Sequence, residues 1–195
     1  MSADIANGPL RRLDLPSGSK GPPLTTVIRR IIWGTAWTFL FRPWPRRIGN
    51  GWRTSLLRMF GAKIGRNVLL SPTMRVMKPW ELSIGDDSAI GDRVRIYNFC
   101  RVNIGSMCLV SQDCYLCTGT HNYLDPKMPL IVKVITIRSE SWIAAGSFVH
   151  PGVTIGEGTV VGARSVVTKD MPAWTVCAGH PWRPIKPRQL IFNGE

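Results

Sequence analysis

Six consecutive blocks of six residues run from Ile137 to Pro172: IRSESW, IAAGSF, VHPGVT, IGEGTV, VGARSV and VTKDMP. Each opens on Ile or Val. An α-helix repeats every 3.6 residues and a strand every two. A period of six instead predicts a strand that turns a corner every six residues and stacks on its neighbours, because one such block cannot bury its apolar face alone. The same rhythm begins earlier, with openers at Ile64, Leu70 and Val76, at Ile84, Ile90 and Ile96, and at Ile104, Val110 and Leu116. Ile64-Gly65, Ile84-Gly85 and Ile104-Gly105 lie 20 residues apart, which is three hexads plus a two-residue insertion at a corner. The rhythm breaks over residues 122–136 and resumes at Ile137. Fifteen hexads predict an all-β, single-stranded parallel β-helix of about five triangular coils over residues 63–172, with one loop insertion at 122–136.

Stacked openers would form an apolar ladder down the inside of the prism, each coil supplying the next with a strand about 4.8 Å away. Gly65, Gly85, Gly91, Gly105, Gly156 and Gly162 follow their openers, where a tight path or a positive φ favours glycine. The fifth position is mostly small: Ser88, Cys100, Cys108, Cys114, Thr120, Ser141, Ser147, Thr159 and Ser165. These are expected to point into a narrow interior. Cys114-x-x-Cys117 has the look of half a zinc or redox site. The placement of Cys100, Cys108, Cys114 and Cys177 on the small position reads instead as buried apolar thiols. Gly156-x-Gly158-x-x-x-Gly162 has the wrong spacing for a dinucleotide loop and lies inside the hexads.

The formal net charge is +13, and it is unevenly placed. Residues 1–63 hold eleven Lys/Arg against two Asp, whereas residues 64–195 hold fourteen against ten acids. Residues 1–24, rich in Gly, Pro and Ser, read as a disordered tail. Residues 25–62 form a basic, Trp-rich amphipathic helical segment. Its run Ile31–Phe41 has eleven uncharged residues between Arg29-Arg30 and Arg42, too few for the roughly 20 needed to span a bilayer. Trp33, Trp37, Trp44 and Trp52 beside arginines suit either a membrane–water interface or packing on the prism. No nucleic-acid-binding motif accompanies the charge. The absence of an apolar leader and the odd cysteine count point to a cytoplasmic chain, with contact at the inner membrane face as an option. Residues 173–195, rich in Pro and basic residues, are expected to cross back and cover an open end of the prism.

The Ile/Val-Gly hexads, the interrupting loop, and the ending PGVTIGEGTVVGARSVVTKDMPAWTVCAGHPWRPIK resemble the hexapeptide-repeat acyltransferases. The segments LLRMFGAKIG, PWELSIGDDSAIGDRVRIYN and YLCTGTHNY are most similar to the colanic acid and exopolysaccharide O-acetyltransferases, with galactoside, maltose and nodulation acetyltransferases nearby. The resemblance, not the periodicity, implies a left-handed helix, since ordinary parallel crossovers have the opposite hand. It implies transfer of acetyl from acetyl-CoA to a sugar hydroxyl, no metal, and a homotrimer with active sites between subunits. By position it implies His121 as the catalytic base and Asn98 as the acceptor-binding residue. It places Trp142, Ala145, Ala163, Thr168, Lys169, Arg183 and Lys186 along acetyl-CoA. Where relatives carry Gly-Ser after Trp-Ile, this chain has Ala144-Ala145, so a hydroxyl contact is lost and a backbone N–H is left to serve.

The chemistry agrees with the resemblance. A sugar hydroxyl is a poor nucleophile at neutral pH, and a positioned base helps by about 10²–10⁴-fold. Histidine suits that task. The chain has three, at 121, 150 and 180. His121 stands where a hexad gives way to the loop. His150 is expected on the outer surface facing solvent, and His180 lies in the crossing tail, with the border of the CoA channel as one option for it. Arg164 and Arg188 join Lys169, Arg183 and Lys186 as candidate phosphate partners. The alternative to an enzyme is a non-catalytic β-helix scaffold.

Overall fold

The computed structural model describes Asp14, residues 21–46 and residues 48–191. Most of the tail read as disordered therefore lies outside the described residues. Three parallel sheets form the walls of a triangular prism. Sheet A stacks Lys63–Ile64, Leu82–Ile84, Val102–Ile104, Ile135–Ile137 and Thr154–Ile155. Sheet B stacks Leu69–Leu70, Ala89–Ile90, Leu109–Val110, Trp142–Ile143, Val160–Val161 and Thr175–Gly179. Sheet C stacks Arg75–Val76, Arg95–Tyr97, Tyr115–Cys117, Phe148–Val149 and Val166–Val167. Five coils are complete. Thr175–Gly179 and a bridge from Ile155 to Met171 begin a sixth. The architecture is that of the left-handed parallel β-helix.

All fifteen openers are buried, from Ile64 at 9% exposure to Val167 at 0%. Ser88, Cys108, Cys114, Ser141, Ser147, Thr159, Ser165 and Cys177 fill the interior beside them. Their polar atoms are satisfied by the coil below or above: Ser88 Oγ donates to the Gly105 carbonyl at 2.9 Å, and Ser141 Oγ to that of Gly156 at 2.8 Å. The Cys114 thiol donates to the Ala144 carbonyl, and burial pushes its pKa up to about 11. Cys117 turns to the Gly119 carbonyl instead. Two small-position expectations fail. Thr120 is exposed, because the chain leaves the prism after Thr118, and Cys100 is only half-buried.

Of the two reasons for glycine after the openers, the tight path holds and the positive φ does not. The positive φ values fall on the fourth residue of the hexad, not the second, and mostly on Asn67, Asp87, Arg93, Met107, Asp113, Glu140 and Arg164. Glycine is required at the second position by crowding alone: a Cβ on Gly85 would stand 2.5 Å from the Ser106 nitrogen in the next coil.

The first coil presents three edge strands whose carbonyls have no coil above them, a hazard for any sheet. The N-terminal segment satisfies them one by one. Helix α1 (Leu24–Ala36) continues through a wider π-type turn, Trp37–Phe41, and α2 covers Asn50–Met59. Trp33 and Trp37 donate their indole N–H groups to the carbonyls of Val76 and Met74 at 2.7 and 2.8 Å, covering sheet C. Asn50 and Arg53 cover sheet B through Val68 and Leu70. Arg58 reaches Ile64 and Gly65 of sheet A. At the far end the tail does not merely cross over. Trp182–Pro187 folds back antiparallel on Thr175–Gly179 and extends sheet B.

Candidate active site

After Cys117 the chain leaves sheet C at its corner with sheet A. Gly119–His121 and Leu130–Val132 form an antiparallel hairpin in which His121 faces Leu130. Gly119 is needed for close approach, since a Cβ there would stand 2.6 Å from the Phe99 ring. The hairpin tip folds on itself: Asp125 accepts the backbone N–H of Lys127 at 2.9 Å, and the Met128 N–H donates to the Asp125 carbonyl at 2.8 Å. Met128 adopts a φ of +45°. Its carbonyl oxygen lies 2.6 Å from His121 Nδ1. A carbonyl only accepts, so Nδ1 carries the proton and Nε2 keeps its lone pair. The ring is exposed, with its basic nitrogen available to a ligand.

Asn98, the candidate acceptor-binding residue, has its side chain bonded to the corner of the neighbouring coil. It is fully buried. Its oxygen accepts the Lys78 N–H at 3.0 Å, and its amide donates to the carbonyls of Lys78 and Glu81 at 2.8 and 3.2 Å. The side chain pins the corner between two coils, as Thr118 does one coil on, where its hydroxyl accepts the Phe99 N–H at 2.8 Å.

The remaining candidates divide between two edges of the prism. Trp142 stands outward on sheet B, 42% exposed, its indole donating to Ser111 Oγ at 2.9 Å. Val160, Val176 and then Lys186 continue that row. Arg183 lies on the same added hairpin, opposite Ala178. Ala145 and Ala163 sit at the corner between sheets B and C. The Ala145 carbonyl accepts the N–H of Arg164, and its own N–H has no acceptor among the described residues. Thr168 and Lys169 occupy the other corner, between sheets C and A, on the same edge as the His121 hairpin; Lys169 lies over the Trp182 ring. Within one chain, His121 and the Ala145–Ala163 corner are therefore separated by the width of sheet C.

His150 differs from its reading as solvent-facing. Its ring is half-buried and meets Phe148 edge-on at 5.0 Å, and desolvation lowers its pKa. His180 is exposed at the turn of the added hairpin. Sequence reading missed the outward column of Tyr97, Tyr115 and Phe148 on sheet C, with Tyr115 and Phe148 stacked at 5.1 Å. Both flank openers, and that was the available signal.

Comparison with known proteins gives consistent matches. The family model described as bacterial transferase hexapeptide (six repeats) matches residues 135–169. A protein of Escherichia coli (strain K12) named as a colanic acid biosynthesis acetyltransferase, WcaF, is 40% identical over 179 residues, covering 92% of this chain and 96% of that one. The galactoside O-acetyltransferase of the same organism is 33% identical over 137 residues, 69% of this chain and 68% of that one. The solved structure of a galactoside acetyltransferase in complex with coenzyme A superposes with a TM-score of 0.74 at 25% identity, covering 90% of this chain and 85% of the other.

Proposed function

The chain belongs to the hexapeptide-repeat acetyltransferases, and from that premise we propose that it transfers acetyl from acetyl-CoA to a hydroxyl of a sugar in exopolysaccharide biosynthesis of the colanic acid kind. The observation that carries the mechanism is the 2.6 Å contact between His121 Nδ1 and the Met128 carbonyl. It fixes the tautomer in which Nε2 can take the proton of the acceptor hydroxyl. Acetyl-CoA supplies a thioester that the hydroxyl attacks directly, so no acyl-enzyme is required and the site works by alignment. The unpartnered N–H of Ala145 is suited to the oxygen that gains charge. Trp142 and Ala163 would wall the pantetheine arm. Thr168, Lys169, Arg183 and Lys186 would meet the phosphates, with Arg164 at the nearby corner. Purified protein given acetyl-CoA and a glycan acceptor should release CoA thiol only when the acceptor is present.

The separation of His121 from the Ala145–Ala163 corner supports a homotrimer in which one chain's His121 edge faces its neighbour's Ala145 edge. Each active site would then lie between subunits.

The N-terminal segment supports peripheral contact with an anionic membrane surface at the cytoplasmic side. No described helix is long and apolar enough to cross a membrane. The inward face of α1 is taken up by packing: Trp33, Trp37 and Phe41 are buried. The outward face is apolar as well, with Ile31, Ile32, Phe39, Leu40, Trp52 and Met59 lining a groove of about 660 Å³. Ile31 and Phe39 are 63% and 70% exposed. Residues 21–63 contain no acid, and Arg29 lines an adjoining pocket with Ile32 and Met59. Apolar burial plus attraction to anionic lipid is how interfacial helices bind. Ile31→Asp with Phe39→Asp should reduce sedimentation with anionic vesicles by about tenfold or more without changing the melting temperature appreciably. Unchanged sedimentation would dismiss the membrane role.

A further inference from the structure

Four arginines converge on one recess that the acetyl-transfer chemistry does not use. Arg42 follows the π-type turn. Arg75 and Arg95 stand opposite each other on the first two strands of sheet C, and Arg93 occupies the corner between sheets B and C. With Trp37 and Tyr115 they line a cavity of about 600 Å³. One carboxylate, Asp113, also lines it, leaving a formal excess of three positive charges. Asp113 is taken by Arg93, whose Nε and Nη2 donate to its two oxygens at 2.7 Å each. Arg42, Arg75 and Arg95 have no carboxylate within ion-pair distance among the described residues. The Trp37 indole holds two of them, with the Arg75 guanidinium 4.5 Å and that of Arg42 5.8 Å from its ring centre. Like charges directly opposed on neighbouring strands are destabilising. Here the fold opposes Arg75 to Arg95 and brings in Arg42 from the helical segment. Trp37 offsets part of that cost, and an anion among the three guanidinium groups would offset the rest.

We propose that this recess binds a phosphate-class anion, and specifically the diphosphate of a diphosphate-linked sugar acceptor. Guanidinium groups match phosphate oxygens in pairs, and two neighbouring phosphates fit three unpaired guanidinium groups better than one phosphate does. The position is right for an acceptor. The recess lies at the helix-capped end of the prism, and the Gly146 N–H bonds to the Gln112 carbonyl, so the Ala145–Gly146 corner stacks one coil beyond the Arg93–Asp113 corner. Adjacent coils are about 4.8 Å apart. The Tyr115 ring on the cavity wall stacks on Phe148, three residues from Ala145, and gives a flat surface leading from the arginines to the coil of Ala145. A sugar lying there would carry its diphosphate in the recess. The sugar half of this inference rests on the acetyltransferase reading; the anion site does not.

The test is calorimetric titration of the full-length protein with inorganic pyrophosphate, without acetyl-CoA or sugar. Wild type should bind. Arg75→Gln and Arg95→Gln should each weaken binding by about tenfold or more, the loss expected for a charge-assisted hydrogen bond. Arg95→Lys should recover part of it, and Arg138→Gln, on an exposed residue elsewhere, should change nothing. Arg75 also stacks on Trp37, so Arg95→Gln is the variant that separates lost binding from lost folding. Absence of pyrophosphate binding by wild type, or binding as tight as wild type in both glutamine variants, overturns the proposal. Displacement of pyrophosphate by saturating acetyl-CoA also overturns it, since the recess would then belong to the CoA site. Because binding is read without turnover, failure here is distinct from failure of acetyl transfer. Two arms identify the source. Displacement by a nucleoside diphosphate indicates a soluble nucleotide sugar. Sedimentation with phosphatidylcholine vesicles doped with a polyprenyl diphosphate, lost in Arg95→Gln, indicates a lipid headgroup. Either result supports the site, and failure of both overturns the ligand class.

Discussion

His121→Ala should lower kcat for acetyl transfer by at least about 100-fold, the low end of what a positioned general base contributes. The KM for acetyl-CoA should change little, because none of the CoA candidates lies on the hairpin that carries His121. That split distinguishes loss of the base from collapse of the site, which would move both constants. His121→Gln makes the test sharper. A glutamine can preserve a polar contact to the Met128 carbonyl but offers no basic nitrogen, so it should be as inactive as alanine. Turnover within about threefold of wild type in either variant would remove His121 from the chemistry.

Arg53→Met should destabilise the protein by at least about 3 kcal/mol. Arg53 is fully buried in α2. Its guanidinium donates to the carbonyls of Leu70, Trp44 and Arg46 at 3.1, 2.9 and 2.6 Å. One bond covers the edge strand of sheet B, and the other two hold the connection between the helices. Methionine fills much of the volume but leaves three carbonyls without a donor, each costing about 1 kcal/mol or more. In a chain of this size each kcal/mol lowers Tm by about 2–4 °C, so a fall of roughly 6–12 °C is expected. Arg53→Lys should fall between, because one ammonium cannot serve three divergent carbonyls as the planar fork does. Scans must be compared at one protein concentration, since assembly would couple to Tm. A fall below about 2 °C for methionine would show that solvent replaces the guanidinium at low cost.

The prism was legible because its determinants repeat. One apolar residue in six is enough to locate every coil, the first three of them 20 residues apart, and all fifteen openers are where the rhythm puts them. Local backbone geometry was less legible. Positive φ at the fourth position is carried by Asn, Asp, Arg, Met and Glu as well as by Gly146, Gly152 and Gly158, so no one residue type announces it, while the second-position glycines announce a different need, the close passage of the next coil. Thr120 was misread because the hexad beginning at Leu116 is broken at its third residue, and an interior position exists only while the strand stays in the wall. Asn98 shows a related limit of sequence: an Asn beside a corner can serve a ligand or pin the backbone, and its three hydrogen bonds to the corner appear only in the structure. His121 stands out by its position at the break in the hexads, while the contact of its ring with the Met128 carbonyl depends on how the loop folds. The arginine recess draws on Arg42, Arg75, Arg93 and Arg95, which only the stacking of coils under α1 brings together.

The most direct measurement counts both products of one reaction. Purified protein is incubated with acetyl-CoA and a diphosphate-linked glycan acceptor; free CoA thiol and acetyl ester on the glycan are quantified over the same interval, alongside His121→Ala. The expected result is one ester gained for each thiol released, no acetyl group retained on the protein, and at least about a 100-fold lower rate for the variant. Thiol release without ester on any sugar, or equal rates for the two proteins, would contradict direct, His121-assisted O-acetyl transfer.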